Sequence, residues 1–228
     1  EEHLLRGTLA HAFFEALGRG MDAEKAKLLV MEAFERIQDV PQWQLRFKLD
    51  EFSTLLDRAR EWARQSEVNQ ELAGVEIPVG VRVSEEVRIG GYMDRLLRDG
   101  EGNYLVVDLK TGRSKPAKKE GEDHVQLMTY QLALAHGAFD GHQVHDGEGM
   151  PRQGGVLVYP GATTKKIGEL WQSDKSPEAL EEFAELLPPL VEEMRGPRIT
   201  ARTNKDCDKC PIRSICPVQE EGRMTTDA

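Results

Sequence analysis

Apolar residues recur at intervals of three and four through MDAEKAKLLVMEAFERI and, after a break at Pro41, through LDEFSTLLDRAREWARQ, so residues 1–73 read as helical throughout. In LRGTLAHAFFEAL, Thr8 is a candidate cap for a helix that carries Leu9, Phe13 and Leu17 on its inner side. From Val75 the pattern turns β-rich. VEIPVGVRVSEEV, RIGGYMDRLL and YLVVDLK predict an antiparallel set, with the last two strands joined by the turn formers GEGN. HVQLMTYQLALAHG predicts a helix that stops at His136 and Gly137, a last-turn base followed by a breaker. The glycine-rich GHQVHDGEGMPRQG, with His142 and His145, has no core-forming pattern and is expected to be a mobile connection. GGVLVYPG and KKIGELWQ supply two more strands, Pro177 opens a helix to about Arg195, and the remainder is loop-rich. Helices, a strand block, a helix, two strands and a helix imply an α/β (α+β) protein with a mixed central sheet flanked by helices.

The candidate chemistry lies at the end of one strand. In YLVVDLKTG a period of two puts Asp108 and Lys110 side by side, with Leu109 turned the opposite way into the packing. Asp94 stands on the preceding strand, and hairpin pairing across GEGN brings it beside Asp108. Two carboxylates and one lysine suit magnesium, a hard ion that takes oxygen ligands, retains waters and can bridge a phosphate. An Asp and a Lys two apart also form ordinary exposed ion pairs of little worth. Gln126 and Tyr130 are four apart in the next helix, so both can reach one site. His11 and Glu15 are likewise one turn apart in the opening helix.

GYMDR, DLKTG and QLMTY taken together resemble the PD-(D/E)xK nuclease superfamily, specifically its RecB and AddB branch. The resemblance implies a restriction-endonuclease-like core and metal-dependent hydrolysis of DNA. His11, Asp94, Asp108 and the backbone carbonyl of Leu109 are then the ligands of Mg2+ or Mn2+. Lys110 is the catalytic lysine, and Gln126 with Tyr130 supports the site and contacts DNA. Glu15 is at most an outer neighbour. Glu76 opens a segment that also resembles the family, with a structural role. The alternative with the same fold is a catalytically inactive DNA-binding or iron–sulfur module. An acyl-transfer reading of Lys110-Thr111-Gly112 lacks the Ser-x-x-Lys that it would need.

Cys207, Cys210 and Cys216 are the only cysteines, separated by two and five residues, with a proline directly after Cys210 and Cys216. This is metal or cluster spacing rather than disulfide spacing. Three ligands are one short of the usual four. In AddB-like nucleases the same trio is joined by a cysteine N-terminal to the histidine helix, and the four hold a [4Fe–4S] cluster as a clasp. The chain begins with Glu just before that helix, and a longer protein carrying the fourth cysteine is expected. The corresponding domains are residues 1–200 for the nuclease and 201–228 for the clasp. The tail resembles actinobacterial AdnAB-type helicase–nucleases, which implies linear DNA ends and single strands as substrate. It also implies a helicase domain in the same polypeptide and a second helicase–nuclease subunit as partners in double-strand-break end resection.

Composition qualifies this picture in one respect. In 228 residues, 39% apolar and 31% charged content is that of a globular protein with a sizeable core, without an apolar run that could span a bilayer, and the clustered thiols fit a reducing, cytoplasmic setting. A net charge of −10 opposes a general nucleic-acid-binding surface. Locally the sign reverses: KTGRSKPAKK places Arg113, Lys115, Lys118 and Lys119 directly after the candidate strand, with no acid among them, as candidates for gripping DNA phosphates.

Overall fold

A computed structural model describes residues 2–136, 138–139, 142–143, 149–196 and 201–223. Three helices open the chain: α1 (Glu2–Gly18), α2 (Ala23–Arg36) and α3 (Gln42–Ser66). Asp22 caps α2 by accepting the Lys25 N–H at 2.9 Å. The helix then buries Ala26, Val30 and Phe34, a stripe of one residue per turn. Thr8 caps nothing. It lies inside α1, where its hydroxyl donates to the Leu4 carbonyl at 3.0 Å, the usual outlet for a threonine within a helix.

Strands β1 (Glu71–Arg82), β2 (Arg88–Arg98) and β3 (Tyr104–Leu109) form an antiparallel meander. The helical reading of residues 1–73 therefore runs too far, since β1 starts at Glu71. Glu, Leu and Ala at 71–73 carry no local strand signal, and pairing of Leu72 with Leu97 on β2 decides their state. Helix α4 (Val125–Ala135) crosses over to β6 (Arg152–Tyr159), which pairs parallel to β3, and β7 (Gly168–Gln172) closes that edge antiparallel. The predicted connection after α4 carries two short strands, β4 (Ala138–Phe139) and β5 (His142–Gln143). Phe139 pairs with Val79 of β1, a tertiary contact with no local sequence signal. The His142 side chain and all of His145 fall outside the described residues. The resulting seven-stranded mixed sheet has the order β5-β4-β1-β2-β3-β6-β7.

Both faces of the sheet are covered. Leu105, Val107 and Leu109 of β3 join Val156 and Val158 of β6 beneath α1, α2 and α3. The alternate residues Val106 and Leu157 pack with Leu127, Leu132 and Leu134 of α4 and with Leu180 of α5 (Pro177–Arg195). This alternation turns Asp108 toward α4. At Gly154, φ is +103° and an added Cβ would lie 2.2 Å from the Gln172 carbonyl, so only glycine lets β6 sit this close to β7. The chain forms two compact units, residues 1–185 and 186–228. In the second, short 3-10 turns at Cys207–Lys209 and Arg213–Ile215 precede α6 (Glu220–Arg223). Among the described residues no helix is long and apolar enough to cross a membrane.

Candidate active site

The end of β3 assembles one polar cluster. Asp108 is 3% exposed, while Leu109 points to the opposite face and is buried under α1–α3. The Lys110 ammonium lies 2.7 Å from Asp108 Oδ2 and donates to Gln126 Oε1 at 2.6 Å. Gln126 Nε2 donates to Asp108 Oδ1 at 2.6 Å and to the Tyr130 hydroxyl at 2.9 Å. Tyr130 in turn donates to the Tyr92 carbonyl at 2.7 Å, with Asp108 Oδ1 a weaker acceptor at 3.3 Å. One helical turn of α4 thus fixes the carboxylate, the ammonium and the β2 backbone together. Burial, and then the Asp94 carboxylate, raise the pKa of Asp108, with Lys110 acting against both. Asp108 Oδ2 is buried and accepts no aligned hydrogen bond.

Asp94 links this cluster to α1. Its Oδ2 accepts the Leu109 N–H at 2.6 Å, and its Oδ1 lies 3.1 Å from His11 Nδ1. Pairing of Arg95 with Val107 puts Asp94 opposite Asp108, as the hairpin argument expects. Burial pulls the His11 pKa down, but the bond to Asp94 and the charges of Asp94, Asp108 and Glu76 outweigh it, and the net shift is upward.

Glu76 completes the group. The pairs Val75–Arg95 and Ile77–Met93 bracket it opposite Asp94. Its φ is +46°, a left-handed backbone that a side chain with a Cβ adopts at a cost. Burial, and then Asp94 and Glu15, raise its pKa. Donor atoms of His11, Glu76 and Asp94 lie within 4.8 Å of one another, the one such cluster among the described residues. They face a cleft of about 600 Å³ whose walls include Gly7, Thr8, Glu15 and Thr111. Two converging carboxylates and one imidazole are a donor set that can hold a divalent metal ion. The sequence offered little sign of Glu76, an acid in the otherwise apolar run VEIPVGV. Its contribution depends on strand register and on a turned backbone. Glu15 lines the same cleft and pairs with Arg19 at 2.7 Å.

Close packing holds α1 where His11 can reach Asp94. A Cβ on Gly18 would fall 2.2 Å from Val75 Cγ1, so glycine at the end of α1 allows contact with β1. Arg95, next to Asp94, is fully buried and ties three elements together. Its guanidinium pairs with Glu67 at 2.7 Å, donates to the Phe14 carbonyl at 3.2 Å and stacks 4.2 Å above the Phe14 ring. Burial lowers its pKa and Glu67 opposes that shift.

The other predicted residues sit apart from this convergence. Arg113, Lys115, Lys118 and Lys119 are exposed on the segment after β3, and Arg113 pairs with Glu51. Cys207, Cys210 and Cys216 are free and half-buried in the second unit, with the Asn204 N–H 3.2 Å from Cys207 Sγ. Three thiols do not satisfy a four-ligand cluster.

A sheet with helices on both faces, with an Asp, Asp and Lys constellation at adjoining strand ends and a supporting Gln–Tyr pair on the crossover helix, defines a class of metal-using phosphodiesterase folds. Residues 1–217 match the PD-(D/E)XK nuclease superfamily, and the chain belongs to it. Membership implies a nuclease acting on DNA, and nucleases of this superfamily typically use a divalent metal. No curated protein matches the chain. A solved structure described as "Crystal structure of SSO0001" is similar at 21% identity over 77% of this chain and 73% of that one, with a TM-score of 0.40.

Proposed function

We propose that the protein is a magnesium- or manganese-dependent deoxyribonuclease, an exonuclease of the RecB type. The observation that carries the reading is the convergence of His11 from α1, Glu76 from β1, Asp94 from β2 and the Asp108–Lys110 pair of β3. His11, Asp94, Asp108 and the Leu109 carbonyl are the proposed metal ligands, with Glu76 as a fourth side chain in reach. Bound there, a divalent ion would polarise the scissile phosphate and lower the pKa of an attacking water.

The chain's own residues do the rest. Hydrolysis joins a water oxygen to phosphorus as the bond from phosphorus to the departing sugar oxygen breaks. The water must shed a proton, and the leaving oxygen must gain one. Lys110, anchored on Asp108 and Gln126, has a further N–H with which to orient that water and offset charge on the phosphate. Gln126 and Tyr130 hold the Asp108 carboxylate in place. Arg113, Lys115, Lys118 and Lys119 would grip neighbouring phosphates.

The wider setting follows from the resemblance to RecB, AddB and AdnAB-type proteins. In it, the domain of residues 1–200 works in the cytoplasm as part of a helicase–nuclease that resects double-strand breaks for recombinational repair, fed by a helicase and paired with a second subunit. The clasp of residues 201–228 would hold a [4Fe–4S] cluster in a longer protein that supplies the fourth ligand. A cleavage assay on labelled linear DNA tests the central reading. Metal-dependent cleavage is expected, falling roughly 100- to 10,000-fold in Lys110→Ala and Asp108→Asn, the usual cost of losing a group that handles the proton or the developing charge. Equal rates in wild type and both variants would refute it.

A further inference from the structure

The fold places a second basic turn beside the segment that follows β3. Strands β3 and β6 run parallel, Leu109 pairs with Val158, and the Lys110 N–H donates to the Val158 carbonyl at 2.7 Å, so both strands end on the same side of the sheet. Loops after neighbouring parallel strands meet at the carboxyl ends, where open sheets bind their ligands. KKIGELWQ reads as strand throughout, but β7 begins only at Gly168, which leaves Lys165 and Lys166 exposed on the turn from β6 to β7.

Arg58 of α3 fixes this turn. Its guanidinium donates to the carbonyls of Ala162, Thr164 and Lys166 at 2.9, 3.0 and 2.8 Å, and the Thr164 hydroxyl donates to the Lys166 carbonyl at 2.7 Å. A Cβ on Gly161 would lie 3.0 Å from the Thr111 carbonyl oxygen, and one on Gly168 would lie 3.3 Å from Lys115 Cδ, so the turn rests against the segment after β3. Residues 110–119 and 160–167 contain no acid. Glu51 neutralises Arg113, but Lys115, Lys118, Lys119, Lys165 and Lys166 pair with no carboxylate among the described residues. The acids of the site continue the other way along the sheet, with Asp94 on β2 and Glu76 on β1. A phosphate chain leaving the metal centre therefore meets like charge on the β1 side and free ammonium groups on the β6 side.

We propose that Lys165 and Lys166, with Lys115 beside them, form a phosphate-binding track that carries the DNA backbone away from the metal centre across the ends of β3 and β6, while Arg58 holds the turn in shape. The track rests on the nuclease reading for its ligand and adds the side of the sheet along which the backbone runs.

The test uses the full chain in an Asp108→Asn background with magnesium, so that the DNA survives. Binding of labelled linear DNA is followed by fluorescence anisotropy across a salt series, because each ammonium that meets a phosphate steepens the fall of affinity with salt. Lys165→Gln combined with Lys166→Gln is expected to flatten that slope by roughly 1.4 to 1.8 and to weaken binding about tenfold at low salt. Lys25→Gln, which removes an exposed charge from α2, should leave the slope unchanged. With Asp108 intact, the double variant should raise KM and keep kcat, since the track binds DNA without touching the reacting phosphate. The substituted lysines are exposed, and circular dichroism checks that the fold is kept. An unchanged slope in the double variant, an equal change per charge in Lys25→Gln, or a fall in kcat alone overturns the track. If the wild type cuts no DNA but the double variant alone loses slope, the nuclease reading falls and the track stands. Cutting with an unaltered slope is the reverse.

Discussion

Glu76 shows what one residue gives up for its place. It holds a left-handed backbone angle opposite another carboxylate, two unfavourable conditions that a bound cation would offset. Glu76→Ala and Glu76→Gly both remove the carboxylate, but only glycine relieves the backbone. Without metal, the glycine variant should be more stable than the alanine variant by about 1 kcal/mol, read from urea unfolding, because left-handed φ costs an ordinary residue about that much. Both should bind metal more weakly than wild type. Equal stability of the two variants would remove the strain argument. At this scale the sequence was legible where spacing does the placing. Asp108 and Lys110 two apart, and Gln126 and Tyr130 four apart, need only strand and helix geometry to meet. Glu76 reads locally as structural, because nothing in its neighbours reveals that β1 pairing sets it opposite Asp94.

Elements add the contacts that hold those residues in position. Glu122, just before α4, accepts from Ser173 Oγ at 2.6 Å and pairs with Lys175 at 2.8 Å, pinning the helix start to the chain leaving β7. The Lys175 bond and then the Ser173 bond hold its carboxyl at about 2, below the ordinary 4.5. A depressed carboxyl pKa stabilises the fold above the unfolded value and ceases to do so as pH falls through the folded value. Wild type should therefore melt above Glu122→Gln at pH 7, with the gap closing between pH 4.5 and 2. A gap that is constant with pH would show that the Glu122 charge does not act in this way. Helices α2 and α3 follow from periodicity because each carries its own apolar stripe. The early start of β1 and the short β4 were not legible, since their state is set by partners distant in sequence.

In the whole molecule, the candidate centre lies entirely within the unit of residues 1–185, while the three cysteines belong to residues 186–228. If the two act separately, metal stabilisation should not depend on the thiols. Manganese at a hundred times its Kd should stabilise wild type by about 2.7 kcal/mol, and a Cys207→Ser, Cys210→Ser, Cys216→Ser variant by the same amount, seen as equal rises in Tm. Loss of the rise in the triple variant would tie the metal site to the thiols. The net charge of −10 sharpens the need for such an ion, since a phosphate approaching Glu76, Asp94 and Asp108 otherwise meets like charge. The most direct measurement is anomalous diffraction from crystals soaked in manganese. A peak is expected between α1 and the β1–β3 strand ends, about 2.1 Å from donor atoms of His11, Asp94 and Asp108, with Glu76 at or next to the ion. No peak there at saturating manganese, or a peak that leaves out His11 and both aspartates, would contradict it.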